Sequence, residues 1–203
     1  MKNLIKTASI LDKILHILFI ATAIGAVGCV VGLGIIAVGV IFDLPPHMIG
    51  TGFENVQLGF LTLSLSDAYL PDINIILGWI AVDILLTFVC LIIARKMIGR
   101  FRDILSPMKT GSPFHNTVSI NLKSLAKDVC VLGIAVNIQD TISNKLMEKT
   151  YNLSKVILGD QITHITVNNV FDLSFLFIAG ILLLLSFIFR YGEELQQLSD
   201  ETI

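Results

Sequence analysis

The stretch Val170-Phe-Asp-Leu-Ser-Phe-Leu-Phe-Ile-Ala-Gly-Ile-Leu-Leu-Leu-Leu-Ser-Phe-Ile-Phe189 contains one early acid, Asp172, and otherwise nothing more polar than Ser174 and Ser186. Coiled as a helix, such a run spans roughly 30 Å, the thickness of the hydrocarbon core of a bilayer. The reading is a transmembrane helix. Arg190 and Tyr191 mark its water interface, and Glu193, Glu194, Asp200 and Glu201 carry the chain beyond it.

The continuation of that stretch also carries a resemblance. Ser186-Phe-Ile-Phe-Arg-Tyr-Gly-Glu-Glu-Leu-Gln-Gln-Leu-Ser-Asp-Glu-Thr-Ile203 resembles the C-terminal signature of the DUF2975 family, bacterial four-helix membrane proteins of unknown function. Gly111-Ser-Pro-Phe114, followed by Leu122, is similar to the Gly-x-Pro-Phe turn that opens the third helix in that family. The resemblance implies a bacterial cell-membrane protein with both termini in the cytoplasm. It also implies a partner, a small Cro/C1-type helix-turn-helix regulator encoded beside it, and it supplies no catalytic residues. The best-matching residues, Arg190, Tyr191, Gly192, Glu193, Glu194, Leu195, Gln196 and Gln197, are the candidate docking segment for that partner.

Composition agrees with a membrane chain. Of 203 residues, 54% are hydrophobic and 15% charged, and the mean hydropathy is +0.82. A soluble domain carries nearer a quarter of charged residues. The net charge of -2 and the absence of a long basic block give no footprint for nucleic acid. Cys29, Cys90 and Cys130 fall inside apolar runs without Cys-x-x-Cys or Cys/His spacing, so they read as packing residues, not as a disulfide or zinc framework. His47, Glu54 and His164 lack the close spacing of a metal site, and no cofactor is expected.

The N-terminal segment holds Lys2, Lys6 and Lys13 against Asp12, a bias that places it in the cytoplasm. An apolar run follows over 14–42, too long for the core of a signal peptide. It predicts helix one, in which Gly25, Gly28 and Gly32 form a small-residue stripe for close helix packing, within the chain or at the seam of a homodimer. The second helix is predicted over 73–94, and Arg95, Lys96, Arg100 and Arg102 fix its end in the cytoplasm. A break is expected at Ser106-Pro107. Ser112-Pro113 has the chemistry of a helix start, which opens helix three over 113–140. Helix three is the most polar of the four, interrupted by Lys123, Lys127 and Asp128, and spans only if the other helices cover its polar stripe; an interfacial segment is the rival reading. Helix four is 170–189, with a cytoplasmic tail over 190–203.

Asp83 sits in the middle of helix two. A carboxyl facing lipid there costs roughly 2.5 to 3.5 kcal/mol on insertion scales. It should therefore face helix three, and Lys127 is its candidate partner in an intramembrane polar pair. The segment between helices one and two has four acids and no Lys or Arg, which marks it extracytoplasmic; Val56 to Leu65 alternates with period two and predicts a short strand pair. In the other outer segment, helical turns are expected around Ser143 to Tyr151, and Ile162 to Val167 reads as a strand able to pair with the first.

The fold class is thus an all-α membrane protein, a single four-transmembrane-helix bundle with small β elements in its extracytoplasmic loops. No nucleophile-elbow, Walker, His-Glu-x-x-His or dinucleotide pattern occurs, so an enzyme is not expected. Two function classes are carried forward: a regulatory or sensory membrane protein acting with the helix-turn-helix regulator, and a small transporter or immunity-type protein with Asp83 in an ion or proton path. Reporter fusions test the topology: one at Ile203 should report cytoplasm and one at Lys149 the outside. A cytoplasmic signal at Lys149 means that helix three does not cross.

Overall fold

The computed structural model describes residues 2–42, 55–58, 61–64, 72–110, 115–151 and 171–201. Among these lie four helices, α1 (Lys2–Ile41), α2 (Ile73–Lys109), α3 (Asn116–Tyr151) and α4 (Ser174–Glu201). Two short strands, β1 (Asn55–Leu58) and β2 (Leu61–Ser64), pair antiparallel with Val56 opposite Leu63. The expected start at Ser112-Pro113 and the expected strand over Ile162 to Val167 lie outside the described residues.

Three helices are long and apolar enough to cross a membrane, through Ile5–Ile41, Ile73–Lys109 and Ser174–Ser199. Their outward surfaces agree: on α4, Phe177 is 75% and Leu184 64% exposed, an apolar surface that hydrocarbon accommodates and water does not. α3 is not among the three, because its charged residues interrupt every long apolar window.

All four helices outrun their apolar segments. α1 has 40 residues, about 60 Å of helix, and takes in the lysine-bearing N-terminal segment. α2 does not stop at Ala94 but continues to Lys109. Pro107 falls in its last turn, where a missing N–H forfeits one helix bond without breaking the helix, and Thr110 closes that turn with its N–H and hydroxyl both donating to the Pro107 carbonyl at 3.2 and 2.9 Å. α3 runs past residue 140 to Tyr151, and α4 absorbs the tail as far as Glu201. Asp72 and Asp172 precede α2 and α4 as capping acids, accepting the N–H groups of Asn74 at 3.0 Å and Ser174 at 2.8 Å. At the start of α3, His115 plays the same role, its Nδ1 accepting the N–H of Thr117 at 3.3 Å.

The chain divides into two compact units. The first comprises Met1–Val27, Phe88–Asn137 and Phe171–Ile203. Its core is Ile104, Val118, Leu122 and Leu125, flanked by Met97, Phe101, Met108, Leu182 and Phe189. The spacings explain why these segments are helical: 97, 101, 104 and 108 on α2, and 118, 122 and 125 on α3, recur every three or four residues and so lie along one face of each helix. Burial of that α2 face is what carries the helix beyond its apolar run. The second unit comprises Gly28–Thr87 and Ile138–Val170. Among its described residues, Ile76 and Leu77 have the most buried side chains, each 2% exposed.

Within the first unit α3 and α4 approach closely at Gly133, where an added Cβ would fall 2.1 Å from Cγ and 2.5 Å from Cβ of Phe175. Four residues on, the buried Asn137 side chain treats the backbone of Asp172 as a peptide partner. Its Nδ2 donates to the Asp172 carbonyl at 3.0 Å and its Oδ1 accepts the Asp172 N–H at 2.8 Å. The same Nδ2 also donates to the Gly133 carbonyl at 2.8 Å, so glycine and amide form one locking element. Gly133→Ala should therefore cost about 1 to 3 kcal/mol through overpacking, read as a lower thermal midpoint in detergent. Gly28→Ala, where an added Cβ meets nothing within 4 Å, should stay within about 0.5 kcal/mol of the parent protein.

Candidate functional site

The basic residues of α2 do not form a free patch. Arg95, Arg102 and Lys109 are spaced by seven, which places them along one face of the helix. On α1, Asp12 and Phe19 are also seven apart, and the two helices run antiparallel here, so the stripes match. The Arg95 guanidinium lies 3.8 Å from the centre of the Phe19 ring and donates to the Phe19 carbonyl at 3.0 Å. Arg102 reaches both partners, 5.8 Å from the ring centre and 3.1 Å from the Asp12 carboxylate. Lys109 pairs with the other oxygen of Asp12. A stacked, partly desolvated guanidinium contributes on the order of 1 to 2 kcal/mol, and each of the half-exposed ion pairs about 1 kcal/mol or less.

Arg100 points to α3 instead. Its guanidinium lies 2.8 Å from Asp128 and donates to the Ser124 carbonyl at 2.9 Å. Asp128 is buried, whereas its neighbour Lys127 is exposed. Between α3 and α4 the buried Ser186 hydroxyl donates to the Ser119 carbonyl at 2.8 Å.

In the second unit, Asp83 is half-buried and lies against α3, where it accepts the hydroxyl of Ser143, a residue beyond the expected end of that helix. One turn along, Gln139 Nε2 donates to the Thr87 hydroxyl at 2.8 Å. Asp83 and Thr87 are four apart, as are Gln139 and Ser143, so antiparallel α2 and α3 join through two rungs of a polar ladder. Lys127, the partner expected for Asp83 from sequence, belongs to the other unit, and the hydrogen bond seen at Asp83 comes from Ser143.

The small-residue stripe divides. Leu91 would lie 3.3 Å from a Cβ at Gly25 and Ile84 3.4 Å from one at Gly32, while Gly28 faces open space. Gly25 and Gly32, seven apart, are thus the positions against which α2 packs, each met by the flexible end of a side chain. Cys29, Cys90 and Cys130 are half-buried thiols, and no group of three metal-ligating side chains occurs among the described residues.

The candidate docking segment is the helical end of α4. Arg190 pairs with Glu194 at 3.4 Å within the helix, and among the described residues no ion pair links this segment to the basic face of α2. The basic residues of α2 are met instead by Asp12 and Asp128, on α1 and α3. Gly192 and Glu193 are half-buried; Leu195, Gln196 and Gln197 are exposed. Tyr191 is 64% and Leu195 50% exposed, and with the exposed Leu198 they stand at the spacing of one helix face.

No protein-family model matches the chain, and comparisons with curated proteins and with solved structures give no match. Function is therefore argued from the residues themselves. The ladder provides one direct test. Asp83→Asn keeps an oxygen for the Ser143 hydroxyl and should lower stability by no more than about 1 kcal/mol, whereas Asp83→Leu strands that hydroxyl and should cost about 1 to 3 kcal/mol in detergent unfolding. Equal losses would mean that the negative charge, not the hydrogen bond, is what α3 requires.

Proposed function

We propose that this chain is a four-span integral membrane protein of the bacterial cell membrane, with both ends of the chain in the cytoplasm, acting in regulation by docking a small helix-turn-helix regulator on the end of α4. The observation that carries the reading is the exposed apolar pair Tyr191 and Leu195 on a helix that continues without interruption out of its apolar run. A helix emerging rigidly from a membrane presents side chains in fixed register to a partner, at a lower entropy cost than a flexible tail.

α3 serves as the fourth span in this reading. Its polar groups find partners on neighbouring helices: Asp128 and the Ser124 carbonyl with Arg100, Ser119 with Ser186, Asn137 with Asp172. That is the condition for a polar helix to sit in hydrocarbon. Lys123 and Lys127 are exposed, but they lie within about three turns of the helix start, from which their stems reach the interface. The basic residues before α1 and on α2 orient the molecule, and lipid and regulator are its partners. The Ser143 hydroxyl on Asp83 supports a structural role for that acid over a place in an ion path.

Deleting Leu195 to Ile203 should leave membrane insertion and thermal stability in detergent nearly unchanged, because the last helical turns carry no buried residue among those described. It should abolish capture of a regulator encoded beside the protein in a pull-down from membranes. Capture by the truncated chain as strong as by the intact one overturns the docking role.

A further inference from the structure

A groove of about 470 Å³ lies between the first turns of α3 and the last turns of α4, within the first unit. That volume falls in the roughly 300 to 1,000 Å³ range of small-ligand sites. Its floor is neutral and already satisfied: Ser186 donates to the Ser119 carbonyl at 2.8 Å, and Ser119 donates to the Asn116 carbonyl at 3.1 Å. The recognition chemistry is therefore in its walls. Lys123 and Arg190 supply two cations, and Glu193 and Glu194 two anions. The Arg190–Glu194 pair, at 3.4 Å with both side chains more than half exposed, is loose enough to open toward an occupant.

The third feature is the apolar edge. Ile120 and Phe187 line the same groove and are 58% and 63% exposed. Phe187 belongs to the apolar run of α4, and Arg190 follows it by three residues, about 4.5 Å along the axis. The groove thus straddles the border between an apolar helix surface and a charged one. An occupant that suits it is amphipathic, with one negative and one positive group close together at its polar end.

We propose that this groove binds the head group of a membrane phospholipid with a primary amine, of the phosphatidylethanolamine type. The phosphodiester accepts hydrogen bonds from Lys123 and Arg190, the ammonium donates to Glu193 and Glu194, and the first part of an acyl chain lies along Ile120 and Phe187. Charge-assisted hydrogen bonds at both ends make the selection. Phosphatidylcholine carries the same charges but no N–H donors, and an anionic lipid such as phosphatidylglycerol leaves the two carboxylates facing a ligand without a cation. The inference rests on α4 crossing the membrane in the proposed reading, and is independent of the docking of a regulator.

Native mass spectrometry of the full chain in detergent micelles doped with phosphatidylethanolamine, phosphatidylcholine or phosphatidylglycerol of identical acyl chains tests it. The parent protein should retain the ethanolamine lipid about tenfold over the choline lipid, the worth of one charge-assisted hydrogen bond. In the double variant E193Q/E194Q that preference should vanish, while K123Q should weaken retention of both lipids alike. Equal retention by the parent, a preference for the glycerol lipid, or a preference that survives in E193Q/E194Q overturns the proposal. Carbonate-resistant partitioning of the same proteins into membranes is read separately, so a failure of the membrane reading is distinguished from a failure of lipid selection.

Discussion

The arginine stack on Phe19 is the contact around which the first unit is arranged. A guanidinium both centred over the ring and bonded to the carbonyl of the same residue can do so only with α1 and α2 close together, and the pairs seven residues away make them antiparallel and fix their register. Seven residues along each helix the same register brings Asp12 between Arg102 and Lys109. Two positive charges on one carboxylate, about two helical turns from a stacked guanidinium, define the sliding position of the helices far better than apolar contacts alone. In hydrocarbon, where lipid tails compete equally with side chains for apolar surface, such polar contacts carry much of the specificity.

Having α1 on one side, α2 turns Arg100 to the other, and this makes the most polar helix tenable. Asp128 is buried, and a buried carboxylate without a counter-charge is costly. The Arg100 guanidinium answers it and caps the Ser124 carbonyl with the same group. α4 is then held to α3 by different means, a ring seated on a glycine and an amide mimicking a peptide. One helix is fastened by charge, the other by fit. The polar end of α4 is left exposed, with its apolar residues turned outward, and the proposed docking role starts from there.

The same economy bears on function. Four cations of α2, Arg95, Arg100, Arg102 and Lys109, are engaged in holding helices together, so this face of α2 has little charge to offer a partner. Lys123, Arg190 and the acids Glu193 and Glu194 of α4 are gathered instead around one groove, where α3 begins and the apolar run of α4 ends.

Long apolar runs made three spanning helices legible in sequence, because twenty residues without charge have no other low-energy place. Period-two alternation over Val56 to Leu65 was legible in the same local way. Where the helices end was not. α2 continues past its apolar segment because Phe101 and Ile104 join a core with α3 and α4, and a break that Pro107 announces locally is absorbed in a last turn. The partners of the polar residues were least legible. Ser143 reaches Asp83 because α3 is longer than its apolar part, and Arg100 reaches Asp128 because of a register set between α2 and α3. Gly133 carries no local signal at all: it is an ordinary glycine in an apolar run until Phe175, forty-two positions later, occupies the space of its missing side chain. Composition determines that a segment enters the membrane, but which face meets which neighbour is a property of two helices at once, and only the tertiary structure brings them together.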